Sequence, residues 1–329
     1  MQRWELESYV HPGTREAFKL MVLEHAGDEV VTGTLSASGD QFPIVRGVPR
    51  FSNVKNYADN FGFQWTEYAQ VQLDSRVTWG GQSQRRLREE TRWPDDLRGQ
   101  SILEMGSGAG RFTELLARTG ATLYTCDYSS AIDANKLNNG TACNVAFSQA
   151  DIYAPPFRRQ SFDKILCIGV LQHCPDPERA FRSLVRYLKP GGEIVIDVYR
   201  LDWTTPFFGK YYVRPLTKRM SSKMLQTLVR AHVAWLYPVT GLLHRAIGSR
   251  ARYLSLLLSM ADYRGTFDAD DATFRTLSEL DTFDMLSPAF DKPQLVSTVR
   301  GWFASLGMEC VDVRKGFNGV QARGRVRAV

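Results

Sequence analysis

The chain has no run of about 18 apolar residues, the length a helix needs to cross a bilayer, so it is read as having no spanning segment. Its five cysteines (126, 143, 167, 174 and 310) form no CxxC pair and leave an odd one out. That argues against a zinc site or a disulfide frame and for a reducing, cytoplasmic compartment. The opening "MQRWELESYVHPG" is polar and acidic, without an apolar signal segment. Internal repeats and low-complexity tracts are also missing. What remains is the composition of a globular protein: 329 residues, 43% apolar and 23% charged, with a net charge of +6 that is unevenly spread.

Residues 1–52 read as a small β-rich module ending in "QFPIVRGVPRF", where Pro43 and Pro49 limit pairing and Gly47 suits a turn. Residues 53–98 read as helical, with polar breaks at "WGGQSQ" and "WPDD". From Ser101 strands alternate with helices: "SILEMG", "ATLYTCD", "NVAFSQAD", "FDKILCIGV" and "EIVIDVY" are strands, and "DPERAFRSLVRYLKPGG" is a helix stopped by Pro-Gly-Gly. A helix "KPQLVSTVRGWFASLG" and strands "ECVDVRKG" and "GVQARGRV" follow, the last two joined by the short turn "FN" as an edge hairpin. The alternation predicts an α/β protein with a doubly wound, mostly parallel sheet of seven strands. Residues 99–200 and 291–329 form that domain, and residues 201–290 are a helical insertion after its fifth strand.

The stretch "ILEMGSGAGRF" sets Gly106, Gly108 and Gly110 where the first of these strands turns into a helix. Open α/β sheets bind ligands at the carboxyl ends of their strands. A glycine trio alone is compatible with a tight turn. Asp127 ends the second strand, where a carboxylate can accept from two ribose hydroxyls, and Asp151 ends the third, within reach of an adenine amino group. Both could instead cap the helices that follow. A dinucleotide fingerprint needs a small residue where this chain has Arg111. Glu104 ahead of the loop adds negative charge, which suits a cationic adenosine ligand better than a pyrophosphate.

Together "LEMGSGAGR", "CDYSS", "QADIYAPPF", "FDKILCIGVLQHCPDPERAF" and "LKPGGEIVIDVY" resemble the successive motifs of class I S-adenosylmethionine-dependent methyltransferases, which have a Rossmann-like fold. The resemblance covers about residues 100–200 and 291–327. It implies S-adenosylmethionine as cofactor, with Glu104 near the methionine amino group and Gly106, Ser107, Gly108, Gly110 and Arg111 along the methionine moiety. By the same resemblance Asp127 takes the ribose, Tyr128 packs on adenine, Asp151 and Ile152 hold and flank the base, and Gly169 and Val170 border the sulfonium. His173, in "GVLQHCPD", is a candidate general base or a residue that orders its loop. The N-terminal module resembles the zinc-ribbon-like domain fused ahead of many methyltransferases. It lacks the cysteines, and His11-Pro12 stands where Cys-Pro would be, so a metal-free, structural version is expected.

"NYADNFGFQWTEYAQ" puts Tyr57, Phe61, Trp65 and Tyr68 on nearly one helical face, either a core stripe or a lid in which Gln64 and Trp65 shield the sulfonium. Between Arg200 and Leu254 ten cations face the single acid Asp202, interleaved with "WTTPFFGKYYV", "VAWLYPV" and "LSLLLSM". Basic and apolar together suit a phosphorylated or lipid-linked acceptor or peripheral contact with an anionic membrane; a solvated cover or an oligomer contact would look the same. "LDTFDMLSPAFDKPQ" gathers Asp281, Asp284 and Asp291 with Phe283 and Phe290, as for sugar or polyol recognition, or as a loop and N-cap. The leading expectation is O-methylation of a sugar or other hydroxylated small molecule by in-line displacement. RNA or tRNA methylation and a catalytically silent cofactor-binding scaffold are the alternatives. Against a nucleic-acid partner, the fourth strand ends in "IGVLQH" without Asn/Asp-Pro-Pro-Tyr/Phe, and no RNA-binding motif is recognisable.

Overall fold

The computed structural model describes residues 1–53, 56–77, 79–316 and 318–328, with the backbone alone at 249. Four short antiparallel strands come first: β1 (Lys19–Ala26), β2 (Glu29–Ala37), β3 (Asp40–Val45) and β4 (Val48–Pro49), paired in chain order. Helices α1 (Asp59–Glu67) and α2 (Gln82–Thr91) lead into the main sheet. Its parallel part runs β5 (Ser101–Met105), α3 (Thr113–Ala117), β6 (Thr122–Asp127), α4 (Ala131–Asn139), β7 (Val145–Gln149), β8 (Phe162–Ile168), α5 (Pro177–Val185) and β9 (Leu188–Val198). The insertion supplies α6 (Lys210–Thr217), α7 (Ser222–Ile247), α8 (Ala251–Leu257) and α9 (Asp271–Leu286). Helix α10 (Val296–Ser305) and the strands β10 (Glu309–Lys315) and β11 (Val320–Arg325) complete the fold.

The seven strands lie in the order β10-β11-β9-β8-β5-β6-β7, with β11 antiparallel to both its neighbours. This is the doubly wound, mostly parallel Rossmann-like sheet that the alternation predicts. Successive side chains of a strand point to opposite faces, and here they enter two separate cores. Leu103, Met105, Cys126, Ile165 and Ile196 join Phe181 of α5 and Trp302 and Phe303 of α10. Ile102, Leu123, Val145, Leu166 and Val195 join Leu87 of α2, Leu116 of α3 and Ile132 of α4. A sheet covered on both faces explains why these strands are apolar throughout rather than alternating.

The N-terminal sheet closes onto the β7 edge. Phe51 N–H donates to Gln149 C=O (2.8 Å), and the Arg50 guanidinium reaches Asp133 (2.6 Å) and Gln149 (3.3 Å). Tyr9 stacks between Phe51 and Phe157, so the small sheet and the main sheet share one core. Covering an edge strand removes a template for unwanted pairing. At the turn after Val10, His11 Nδ1 accepts from the N–H groups of Gly13 and Thr14, and Nε2–H donates to Asp40 (2.9 Å). Among the described residues no group of three His, Cys, Asp or Glu side chains could hold a metal.

Several boundaries differ from the sequence reading. "LKPGG" belongs to β9 and not to the end of α5: the register moves from Phe162↔Leu188 to Lys164↔Glu193, and the irregularity absorbs the proline and glycines. "QSQ" begins α2 because Asp74 accepts from Ser83 N–H (3.2 Å) and Gln84 N–H (2.8 Å), a cap supplied from outside the helix. "LDTFDML" is the last part of α9, with Phe283 in the insertion's core, so Asp281 and Asp284 are helical and not in a loop. The last long helix starts only at Val296, capped by no side chain, because Gln294 pairs with Tyr199 and Leu201 across the neck of the insertion. Of the turn "FN", Phe317 lies outside the described residues.

Replacing Arg50 by Leu should lower stability by about 1–3 kcal/mol, the range for losing hydrogen bonds to a charged group. Urea unfolding checks this, and an unchanged midpoint would show that the guanidinium does not tie the small sheet to the large one.

Candidate active site

The glycine loop leaves β5 and is fixed from β6. Gly106 N–H (2.7 Å) and Ser107 N–H (3.1 Å) donate to Cys126 C=O. Asp127 Oδ2 accepts from Gly108 N–H (2.9 Å), and its Oδ1 accepts from Ser129 N–H (2.8 Å) and Oγ–H (2.7 Å). Burial raises the Asp127 carboxyl above its usual range. Gly108, at φ +55°, lies under the Trp65 indole, closely enough that a Cβ would crowd it.

Two expected ligand contacts lie outside the cavity wall. Glu104 does not line the cavity: strand alternation turns it toward α3 and α4, where its Oε2 accepts from Thr113 (2.5 Å) and Thr125 (3.0 Å), while its Oε1 is buried with no hydrogen-bond partner among the described residues. Asn135 donates to both threonines, and Asn139 donates to Asn135 and to Gly110 C=O. Gly110, at φ +94°, is also outside the wall; a Cβ there would overlap Asn135 and Asn139 of α4. Asp151 is outside the wall as well. Its Oδ1 caps the turn at Tyr153 N–H (2.9 Å), and only its neighbour Ile152 reaches the cavity wall.

The cavity has a volume of about 1090 Å³. One half is walled by Gly106, Ser107, Gly108, Arg111, Asp127, Tyr128, Ile152, Gly169 and Val170. Tyr57, Phe61, Gln64 and Trp65 cover it from α1 and the residues before it, and Tyr57 meets Tyr128 ring to ring at 5.0 Å. Tyr68, the fourth member of that aromatic stripe, turns away to Leu277 and Leu280 and takes a hydrogen bond from Gln226. The stripe is therefore cover at one end and core at the other. Arg111 donates to Ser83 and Gln72 and lies over Phe112, and burial pulls its guanidinium down to about 10.

His173 closes a short turn after β8 and lines the same cavity. Its Nδ1 lies 3.1 Å from Phe290 C=O, which can only accept, so Nδ1 carries the proton and Nε2 keeps its lone pair. The ring sits against Phe61 and Tyr199, and burial lowers its pKa, which keeps the imidazole neutral at pH 7.

The other half of the cavity comes from β9's end and the insertion, and sequence reasoning saw only part of it. Tyr199 donates to Asp284 (3.0 Å), and Tyr263 donates to Asp281. Burial, then the neighbouring Asp284 charge, pushes the Asp281 carboxyl up to about 6. Lys210 pairs with the buried Asp291 (2.6 Å). Arg86 joins Glu90 and Asp197 beside the loop half. Tyr199 was findable, since it ends the fifth parallel strand on the ligand side; Lys210, Tyr263 and Arg86 carry no local signal.

Residues 103–196 match the family model described as a methyltransferase domain. Over 137 residues the chain is 31% identical to a ubiquinone biosynthesis O-methyltransferase of Pseudomonas fluorescens (strain SBW25), covering 39% of this chain and 59% of that protein. Over 100 residues it is 35% identical to a protein of the same name from Coxiella burnetii (strain Dugway 5J108-111), covering 30% and 43%. The chain thus spans 43–59% of the length of these curated relatives. Among solved structures, an S-adenosylmethionine-dependent methyltransferase from Methanosarcina mazei aligns with a TM-score of 0.40 at 17% identity, over 72% of this chain and 95% of that one.

The family match implies S-adenosylmethionine as the cofactor, and the residues present fit it. Ser107 Oγ and Gln64 Oε1 are buried in the wall and have no hydrogen-bond partner among the described residues. Asp127 keeps lone pairs free beside them, and Trp65, Tyr57 and Tyr128 supply aromatic surface. A cationic adenosine ligand needs acceptors of this kind together with flat apolar walls.

Burial pushes Glu104 up to about 7 in the folded chain. The folded state therefore binds its proton more tightly than the unfolded state does. This favours stability at low pH and is lost as pH rises through about 7. Relative to Glu104→Gln, the native chain should lose about 3 kcal/mol between pH 4 and pH 8. Denaturant titrations across that range check it, and a pH-independent difference would refute the buried-carboxyl account.

Proposed function

We propose that the chain transfers a methyl group from S-adenosylmethionine to an oxygen of a small hydroxylated acceptor, of which a sugar is one example. The observation that carries this reading is that the glycine loop with Asp127 and the neutral His173 face one continuous cavity. The relatives' names, which specify O-methylation, support the choice of oxygen. When bound, the cofactor supplies a methyl carbon already activated by its sulfonium, so the protein's work is alignment and proton removal.

In this reading Asp127 accepts from the ribose hydroxyls, Ser107 and Gln64 bond the amino-acid end, and Ile152, Tyr57 and Tyr128 flank the adenine. Gly169 and Val170 border the reacting centre, and Phe61 and Trp65 exclude water from it. His173 Nε2 takes the proton of the acceptor hydroxyl, while the Phe290 carbonyl holds Nδ1–H and stabilises the charge that develops on the ring. Asp281 and Asp284, kept in place by Tyr263 and Tyr199, accept hydrogen bonds from the acceptor's other hydroxyls.

Calorimetry with S-adenosylmethionine should give measurable binding that Asp127→Ala removes. No binding to the native chain overturns the cofactor assignment. With phenolic, catecholic and sugar acceptors, release of S-adenosylhomocysteine should fall about 10²–10⁴-fold in His173→Gln while cofactor affinity stays. The native rate should rise with pH to a plateau, because the base must be neutral. Unchanged turnover in the variant removes His173 as base; cofactor binding without turnover on any acceptor points to a silent subunit.

A further inference from the structure

The insertion carries a surface that the cavity does not use. Along the 26-residue helix α7, Leu225, Val229, Val233 and Leu236 face the insertion's core. The opposite face is apolar too: Met224, Leu228, Trp235, Val239 and Leu242 recur at helical spacing, with Trp235 72% and Leu242 64% exposed. No charged side chain interrupts that stripe. It continues onto the neighbouring elements. His232 Nε2 lies 3.0 Å from Leu258 C=O, which sets α7 against the exposed Leu257 and Leu258 at the end of α8. Gly209 N–H donates to Leu256 C=O (3.1 Å), which joins the start of α6 and its exposed Phe207 and Tyr212 to the same surface. The surface meets the cavity at the exposed Arg252 and Tyr253, both of which line it.

Charge narrows the choice of occupant. From Leu201 to Ala261 the single acid is Asp202, and Arg200 pairs with it. Lys218, Arg219, Lys223, Arg245, Arg250 and Arg252 are exposed and, among the described residues, make no ion pair. A symmetric contact with a second copy would set these cations against themselves, since the same patch faces itself across a two-fold axis. An exposed apolar stripe with tryptophan, flanked by cations and free of acids, matches the boundary between anionic headgroups and acyl chains. Among the described residues no helix is long and apolar enough to cross a membrane, so the helices would lie on the surface.

We propose that α7 with the adjoining ends of α6 and α8 docks on a bilayer containing anionic lipid and brings the mouth of the cavity to it. The docking is independent of methyl transfer. Its corollary, an amphipathic acceptor drawn from the bilayer, rests on the reading given under the proposed function.

Sedimentation of the full chain with phosphatidylcholine vesicles, with and without phosphatidylglycerol, tests the docking. The chain should pellet with the anionic vesicles, and less so as salt is raised. Trp235→Glu with Leu242→Glu should cut the bound fraction about tenfold or more. Lys218→Glu with Arg219→Glu should weaken binding to the anionic vesicles only. Each variant should keep the native melting temperature and S-adenosylmethionine affinity, because these residues lie outside the cavity wall. Failure to pellet with either vesicle, or equal binding to both, overturns the proposal. So does a native dimer that the Trp235 and Leu242 changes dissolve while vesicles stay unbound. Vesicle binding without cofactor binding would leave the docking intact and remove the methyl-transfer reading instead.

Discussion

The Asp127 carboxylate ties together the pieces from which the cavity is made. By accepting from Gly108 N–H and from both donors of Ser129, it fixes the loop after β5 to the end of β6 and to the approach to α4. Beneath the same loop, Glu104, Thr113, Thr125, Asn135 and Asn139 form a buried chain of hydrogen bonds that ends on the Gly110 carbonyl. Buried polar networks specify one geometry when they are satisfied and are costly when they are not. The loop's shape is thus set from below and from the side. Asp127 already carries three hydrogen bonds, yet a carboxylate offers about four lone-pair sites, each able to be shared, so it can still receive a ligand hydroxyl.

The two halves of the cavity are coupled through the return path of the insertion. The chain leaves β9 at Tyr199 and comes back past Phe290 and Lys292 before Gln294 pairs with Tyr199 and Leu201. On that path Phe290 C=O fixes the His173 tautomer, and Lys292 N–H donates to Gln172 C=O (2.8 Å). Lys210 and Arg214 of α6 both approach the buried Asp291 at the centre of the same segment. A shift of the insertion would therefore reach the histidine directly, through the hydrogen bond between Nδ1 and Phe290 C=O.

Local patterning made the sheet readable. Seven apolar segments separated by helical periodicity and turn residues gave the strands, and the glycine loop with Asp127 followed from their carboxyl ends. Patterning failed where a distant partner decides. "LKPGG" reads as a helix stop, yet pairing with β8 carries it into a strand. Glu104 and Asp151 look like ligands in sequence, and only the alternation of β5 and the Tyr153 turn show where their carboxyls are used. His173 with Phe290 and Tyr199 with Asp284 are separated by 117 and 85 residues, so no window of sequence contains either pair. The insertion's basic composition was plain, but which cations are neutralised depends on Glu67, Glu279 and Asp291, which lie outside that stretch.

Together, the acidic depth and the mixed rim bear on what would occupy the insertion's half of the cavity. At the depth, Asp281 and Asp284 share a buried space with Tyr263 and Tyr199, and burial with the like charge of Asp284 pushes the Asp281 carboxyl up to about 6. Near neutral pH such a pair accepts several hydrogen bonds, and once Asp281 is protonated it can donate one as well. The Arg111 and Arg86 guanidinium groups act on the same carboxyl in the opposite sense, so the depth carries charges of both signs. At the rim, the apolar Phe208 and Leu256 stand among Tyr253, Arg252, Asp202 and Thr204. In the proposed reading, an acceptor with a hydroxylated head and an apolar part would find partners at both ends. The same division, polar head inward and apolar part toward the exposed face of α7, is the orientation in which a molecule would pass from a bilayer into the cavity.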